Sequence, residues 1–369
     1  MKVLLVANYA KEHINKFHLG TIKRFKELGW MVDVACRADA EVPFCDHLFD
    51  LPLARNPFHW QMLVAIRKLK MILRDGAYDV IHVHTFTGKV VGILAARQFR
   101  RAGLKVIYTS HGFQYYRGAP WLNWCFLPLD KWLMTNVDIL ITINREDYQN
   151  AQRFHFAPHR IFYCHGAGVN LDRFQATAKS RETVREELGI SLSAPVLIYV
   201  AELTRNKNQM LLLRMFERVV QKFPDAQMLL VGPDHFGGEI QKQIRRMNQE
   251  SRIHCLGWRS DIPDLLKAAD IGVASSIREG FGINIVEYMA CGLPVVAVDN
   301  RGHRETIENG ITGYLVPQSD DGAMAQRVEE LIGSLETRIA LARNASAHLE
   351  RYKEETIVSK LVEIYQSCL

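Results

Sequence analysis

The densest chemical signal in the sequence is the run REGFGINIVEYMACGLPVVAVD, Arg278 to Asp299. Two acids, Glu279 and Glu287, stand with seven residues between them, Gly280 and Gly282 included. Glycines there suit a turn that needs positive φ or a close approach of backbone to a ligand. The spacing predicts a helix from Ile283 to Cys291, a stop at Gly292 with Pro294 at the exit, and a buried strand from Val295 to Val298. A helix starting near Gly282 offers unpaired N–H groups and partial positive charge to a phosphate. Glu287, a turn further on, would accept hydrogen bonds from hydroxyls, with Glu279 on the other side of the turn. A diphosphate with a sugar at one end and a ribose at the other fits that layout, since carboxylates form charge-assisted bonds with sugar hydroxyls. Either acid alone reads more simply as a surface Glu, or as an acid placed for the helix dipole.

Elements that could position such a site recur along the chain. Val3 to Ala7 and Met31 to Ala35 read as strands, joined by a helix from Phe17 to Leu28 that stops at Gly29. Further strands are predicted at Val80–Val83, Val106–Thr109 and Ile139–Ile143, each preceded by a helical pattern, which makes a doubly wound parallel sheet. Ligands in such sheets sit beyond the carboxyl ends of the strands. His84 and His111 follow two of those strands, and His13, Asn15 and His18 occupy the first loop. Phe58 to Arg74 reads as an amphipathic helix carrying Arg67, Lys68, Lys70 and Arg74. A second series of strands follows at Val196–Val200, Gln227–Val231, Ile253–Leu256, Ile271–Ala274 and Val295–Val298.

The 369 residues suffice for two domains with a core each, and 48% hydrophobic with 23% charged residues is the composition of a globular protein. The break is predicted in the polar stretch Gln175 to Arg185. No run approaches 18 apolar residues, and the amino terminus enters a strand directly, which predicts a cytoplasmic protein. The seven cysteines show no zinc spacing, and no G-x-G-x-x-G follows the first strand, so zinc-finger and dinucleotide-binding classes lose support. Residues 1–170 hold 22 Lys and Arg against 13 Asp and Glu, a surplus of nine, whereas residues 171–369 hold 24 against 27. A basic first half of that kind suits an anionic surface. Pro120 to Met134, PWLNWCFLPLDKWLM, is either a core helix or an apolar ledge for a membrane interface, with Arg97, Arg100, Arg101 and Lys105 nearby to meet anionic lipid.

The E-x7-E element, the following A-x-G-x-P-V-V-A, and Gly302, Glu305, Gly310 and Gly313 in NRGHRETIENGITGYLV resemble the donor site of the family 4 retaining glycosyltransferases of GT-B fold. The likeness continues in DVIHVHT (Asp79 to Thr85), YTSHGF (Tyr108 to Phe113), ITINREDY (Ile141 to Tyr148) and GAGVNLDRF (Gly166 to Phe174), and spans nearly the whole chain. HGFQYYRGAP and ITINREDY are most similar to bacterial enzymes that extend lipid-linked capsular or exopolysaccharide units. The resemblance implies an α/β protein of two Rossmann-like, doubly wound parallel-sheet domains facing a central cleft. Residues 1–170 would bind acceptor and 171–352 the nucleotide sugar, with a closing helix, 353–369, packed back on the first domain.

The same resemblance assigns roles. Lys207 in ELTRNKNQ matches a lysine that holds the donor diphosphate. The arginine expected five residues before it is Glu202, and Arg205 is the nearby cation to replace it; both would stabilise the departing nucleoside diphosphate. Glu287 would bind ribose and Glu279 the donor sugar, while Gly280, Phe281, Gly282, Ile283 and Asn284 would present groups to sugar and phosphate. Gly232, Pro233 and Arg259 would border the base. His111 would lie near the sugar, and acceptor would enter over His13, His18, His84, Tyr115 and Arg117. No D-x-D pair stands at a strand end, so no metal or other cofactor is expected at the diphosphate. The expected reaction moves a hexose or N-acetylhexosamine from a UDP-sugar to a polyprenyl-diphosphate-linked or other saccharide acceptor at the inner face of the membrane, with no nucleic-acid partner. A nucleotide-sugar epimerase of the same architecture and a non-catalytic nucleotide-sugar or membrane scaffold are the competing readings.

Overall fold

The computed structural model describes residues 1–54, 59–116, 118–157, 160–176 and 178–368. The chain divides into two compact units, Met1–Gly168 with Glu354–Leu369, and Val169–Lys353. The first is built on a seven-stranded parallel sheet: β1 (Lys2–Tyr9), β2 (Met31–Arg37), β3 (His47–Asp50), β4 (Val80–Val83), β5 (Lys105–Ser110), β6 (Ile139–Thr142) and β7 (Arg160–Tyr163), in the order β3-β2-β1-β4-β5-β6-β7. The order reverses between β1 and β4, so the carboxyl ends of these strands border the ligand crevice of a doubly wound sheet.

Alternation along β1 explains why both faces are covered. Leu4 and Val6 enter one core with the helices Gln61–Gly76 and Phe86–Ala96, while Val3, Leu5 and Ala7 enter another with Phe25, Ile364 and Tyr365. The last two come from the closing helix, Glu354–Gln366, which lies on the first unit. There Tyr365 hydroxyl meets His82 Nδ1 at 2.5 Å, and His82 Nε2 meets Thr109 Oγ1 at 2.7 Å.

The second unit carries β8 (Val196–Val200), β9 (Gln227–Val231), β10 (Ile253–Gly257), β11 (Ile271–Ala274), β12 (Val295–Val298) and β13 (Tyr314–Val316), all parallel in the order β10-β9-β8-β11-β12-β13. β3, β7 and β13 were not legible as strands. They lie at sheet edges and run only three or four residues, two of them half-exposed, so they lack the buried apolar run that marks the others.

The first loop also differs from expectation. Residues 10–14 form a π-helical turn and Asn15–Phe17 an α-helical one before the helix Leu19–Glu27, so His13 and His18 ride on helical backbone. The predicted start of the next helix, Phe58, lies outside the described residues, and the helix is seen from Gln61. Pro120 to Met134 resolves into a 3-10 turn, Trp121–Cys125, and a helix, Phe126–Met134. Asp130, Leu133 and Met134 are buried there, but Trp121 is 80% exposed, and Leu122, Trp124 and Trp132 are exposed too. The helix therefore packs one face into the core, as a core helix would, while Trp132 and the turn before it leave an exposed apolar surface. Among the described residues no helix is long and apolar enough to cross a membrane.

Candidate functional site

In the second unit, polar side chains gather beyond the carboxyl ends of β8, β11 and β12. The turn after β8 is anchored by Leu203 N–H donating to Pro233 O (2.9 Å) and Lys207 N–H donating to Thr204 Oγ1 (3.2 Å). The Lys207 carbonyl accepts from Ser275 Oγ (2.7 Å) and from Tyr199 hydroxyl (3.2 Å). So fixed, Lys207 reaches Glu279, and the two side chains form an ion pair that is still 28% and 17% exposed. Burial pushes the Glu279 carboxyl up, but the Lys207 charge and hydrogen bond outweigh it and hold the group below its ordinary value. Glu279 is thus ionised at neutral pH.

The loop bearing Glu279 is shaped by a neighbour. A Cβ on Gly302 would fall 2.7 Å from Glu279 Cβ and 2.8 Å from Phe281 N, so only glycine lets residues 300–303 lie against it. Arg301 Nε donates to Glu279 O (3.3 Å) across the same contact. Gly282, at φ 82°, opens the helix Ile283–Ala290, and no side chain caps its start. That leaves first-turn N–H groups for an anion. Asn284 Nδ2 donates to Tyr288 hydroxyl (3.3 Å), which accepts Val200 N–H (2.8 Å), tying the helix to β8. Phe281 turns inward, edge-on to Tyr352.

Glu287 is half-buried, and its carboxyl has no hydrogen-bond partner among the described residues. Burial, opposed only by the Arg173 charge, pushes it up to about 7. It is poised between neutral and ionised at physiological pH. Gly232 and Pro233 link strand ends, Gly232 N–H donating to Gly257 O at 2.8 Å. Arg259 is held by Asp261 through two hydrogen bonds of 2.7 and 2.5 Å. Arg205 is exposed and lies over the Phe236 ring at 5.7 Å, while Glu202 is half-buried.

His303 escaped the sequence reading because a lone histidine carries no spacing signal. Its ring is fully buried, and Nδ1 meets Val298 O at 2.6 Å. A carbonyl only accepts, so Nδ1 carries the proton and Nε2 is a bare acceptor. Nε2 has no partner, and it lies 3.8 Å from where a Gly282 Cβ would stand. Burial lowers the ring's pKa, against the pull of Glu279, so it stays neutral.

In the first unit the same three strand positions hold histidines: His13 and His18 after β1, His84 after β4 and His111 after β5. The rings lie together, with His18 and His84 4.1 Å apart between centroids and His84 Nδ1 3.3 Å from His111 Nε2. Burial keeps all four neutral, lowering His111 to about 4. Tyr115 requires correction as an acceptor-side residue. Its side chain is fully buried, stacked on Phe113, and its hydroxyl donates to Asp130 (2.9 Å). Arg117 lies outside the described residues.

Comparison with known proteins follows the same division. Residues 14–165 match the glycosyl transferase 4-like domain, and residues 180–348 match the glycosyl transferases group 1 family. EpsD of Bacillus subtilis (strain 168), which bears the provisional name of a glycosyltransferase, is 38% identical over 368 residues, 99% of this chain and 97% of that protein. The chain belongs to the family 4 GT-B glycosyltransferases. An Escherichia coli relative, UDP-Gal:alpha-D-GlcNAc-diphosphoundecaprenol alpha-1,3-galactosyltransferase, is 26% identical over 304 residues, covering 78% of this chain and 76% of that one. Among solved structures, Anabaena HepE in complex with UDP and glucose is 23% identical and superposes over the full length of both chains with a TM-score of 0.83. WaaG, a glycosyltransferase involved in lipopolysaccharide biosynthesis, gives 0.79 over 99% of both chains at 15% identity. These two establish the fold. As a glycosyltransferase the protein is a transferase enzyme, which sets aside the epimerase and scaffold readings.

Proposed function

We propose that this glycosyltransferase moves a hexose or N-acetylhexosamine from a UDP-sugar, with retention, to a hydroxyl of a lipid-linked saccharide in cell-surface polysaccharide synthesis. The observation that carries this reading is the half-open Lys207–Glu279 pair beside the uncapped helix at Gly282. A donor diphosphate would lie on the helix start with Lys207 beside it. The sugar would turn its hydroxyls to Glu279 and to the bare Nε2 of His303, and the ribose would face Glu287. As the bond from the anomeric carbon to the phosphate oxygen breaks, negative charge grows on the leaving UDP. Lys207 and the first-turn N–H groups stabilise it there, in a site that excludes part of the solvent. The acceptor oxygen then bonds to the same face of the oxocarbenium-like carbon, and its proton passes to the departing phosphate. In this reading side chains and a helix terminus neutralise the diphosphate without a metal.

The acceptor class is favoured by the diphosphoundecaprenol-linked substrate in the name of the Escherichia coli relative. It is favoured also by the Trp121, Leu122, Trp124 and Trp132 ledge, where Arg97 lies 5.8 Å over the Trp132 ring. Exposed Trp beside arginine suits the headgroup region of a membrane. Calorimetry with UDP in the presence of EDTA tests the donor site. Wild type should bind, and Lys207→Ala should bind tens of times more weakly, since a lost charge-assisted bond costs roughly 1.5–3 kcal/mol. Equal affinity in both proteins, or wild-type binding that appears only when Mg²⁺ is added, would dismiss this site.

A further inference from the structure

Helix Leu335–Ser346 of the second unit turns an apolar stripe outward. Leu341 and Ala345 face the core, but Leu335 and Ile339 stand 62% and 58% exposed. At 3.6 residues per turn these two share a face with Ala342 and Ser346. The stripe forms one wall of a groove of about 470 Å³, and Leu266, Leu293 and Pro294 belong to the other.

Charges beside the stripe fall into two sets. Arg181 and Arg338 turn inward to Asp270, at 2.6 and 3.5 Å, and the buried Arg185 reaches the same carboxylate at 2.8 Å. Glu336 and Arg343 stay outside, exposed and without an ion-pair partner among the described residues. Seven residues, nearly two full turns, separate them, so they lie on one flank of the stripe about 10 Å apart along the helix. A two-fold axis across the helix, level with the midpoint between Ile339 and Ala340, reverses the helix of a second copy and keeps that flank on the same side. Glu336 then faces Arg343 of the second copy, and Arg343 faces its Glu336. We propose that the protein associates as a two-fold symmetric dimer, with helix Leu335–Ser346 packed antiparallel on the same helix of a second copy.

A second copy is the occupant that this surface fits. An isologous contact must be self-complementary, and one acid with one base on the same flank meets that condition. Flanking charges of this kind set partner and register in paired helices. An anionic lipid surface would instead favour cations on the polar flanks and repel Glu336. The helix is already braced for docking, since Ser334 caps its start by accepting from Thr337 N–H and Asn344 Nδ2 donates to Ile311 O at 3.0 Å. Little ordering cost is left to binding. One helix and its groove make a small interface, which sets a reversible, concentration-dependent association. The groove residues Asp270 and Pro294 precede β11 and β12, whereas the donor site lies beyond the carboxyl ends of those strands. UDP binding is therefore independent of the dimer.

Sedimentation of the full chain, freed of any purification tag, tests the assignment. Between roughly 1 and 100 µM, wild type should pass from 42.2 kDa to twice that mass. Glu336→Arg alone, or Arg343→Glu alone, sets like charges against each other in both pairs and should weaken association about tenfold. The two substitutions together restore opposite charges and should return the affinity to within about threefold of wild type. Ile339→Asp should remain monomeric throughout, with the near-ultraviolet circular dichroism and UDP affinity of wild type. Wild type that stays monomeric at about 100 µM, single charge variants that dimerise like wild type, or a double variant without rescue would each overturn the proposal. So would a dimer that survives Ile339→Asp, or a monomer whose binding to anionic liposomes is lost in that variant.

Discussion

Two lysine–carboxylate pairs, one in each unit, have the same chemistry and opposite fates. Lys89 and Asp130 meet in the first unit with side chains only 1% and 2% exposed, and Tyr115 donates to the same carboxylate. The Lys89 ammonium also faces the rings of Phe86 and Tyr108, at 4.6 and 5.2 Å. Burial lowers the lysine's pKa despite its partner, which marks a charge taken out of water at a cost. Lys207 and Glu279 in the second unit keep 28% and 17% of their side-chain surface, beside an uncapped helix start. A pair sealed on every side can only hold the fold together. One left partly open can exchange its partner for a ligand, so exposure and setting, not residue type, separate structure from function here.

The largest expected effect strikes the sealed pair. Lys89→Met keeps the side chain's length but leaves Asp130 buried without its cation, which should cost roughly 3–5 kcal/mol. For a unit of this size that is about 10 °C in Tm, read by scanning calorimetry. UDP affinity should not change. A variant that melts like wild type would show that the first pair contributes no more to the fold than a surface pair, and the contrast would fail.

A second test concerns the exposed apolar surface that lies over the sealed pair's unit. Residues 1–170 carry a surplus of nine positive charges, and each Lys or Arg near an anionic surface contributes about 1 kcal/mol. Wild type should float with anionic liposomes at low salt and detach as salt rises. Trp121→Ala combined with Trp124→Ala should reduce the bound fraction about tenfold. Indifference of wild type to anionic liposomes at low salt would leave the ledge without a membrane role.

The smallest effect belongs to Glu287. Its folded-state value of about 7 lies above the ordinary 4.5, so the folded chain keeps a proton that the unfolded chain gives up. Its contribution to stability is therefore full below pH 4.5 and is lost as pH rises through 7. Glu287→Gln should flatten that slope and stabilise the protein above pH 7 by about 1 kcal/mol, because the carboxyl retains contact with solvent. Denaturant titrations at pH 5, 6 and 7.5 read it out. A slope unchanged by the substitution would place the titration elsewhere.

The glycine-rich turn and the strand after it were legible because their information is local. The predicted helix, Ile283 to Cys291, is observed as Ile283–Ala290, and the strand Val295–Val298 has the predicted bounds. Gly282 at φ 82° and Gly292 at φ 73° stand where the spacing put a turn and a stop. The last helix, the apolar strands and the two-unit division were readable for the same reason, since periodicity and composition survive in any short window.

What the sequence alone determined about this protein is thus the two series of strands and helices, the family, and the residues brought to strand ends by chain order. The tertiary structure alone decided which of those residues meet. Lys89 and Asp130 lie 41 residues apart, Lys207 and Glu279 lie 72 apart, and the four histidines come from three separate strand ends. Tyr115, expected beside acceptor, became core because its hydroxyl found Asp130, and His303 gained meaning only when the Val298 carbonyl accepted its Nδ1–H and left Nε2 bare. Pairing across such distances depends on how sheets and loops pack, and burial then sets the charge state of each group. Neither quantity is written in a local window of residues.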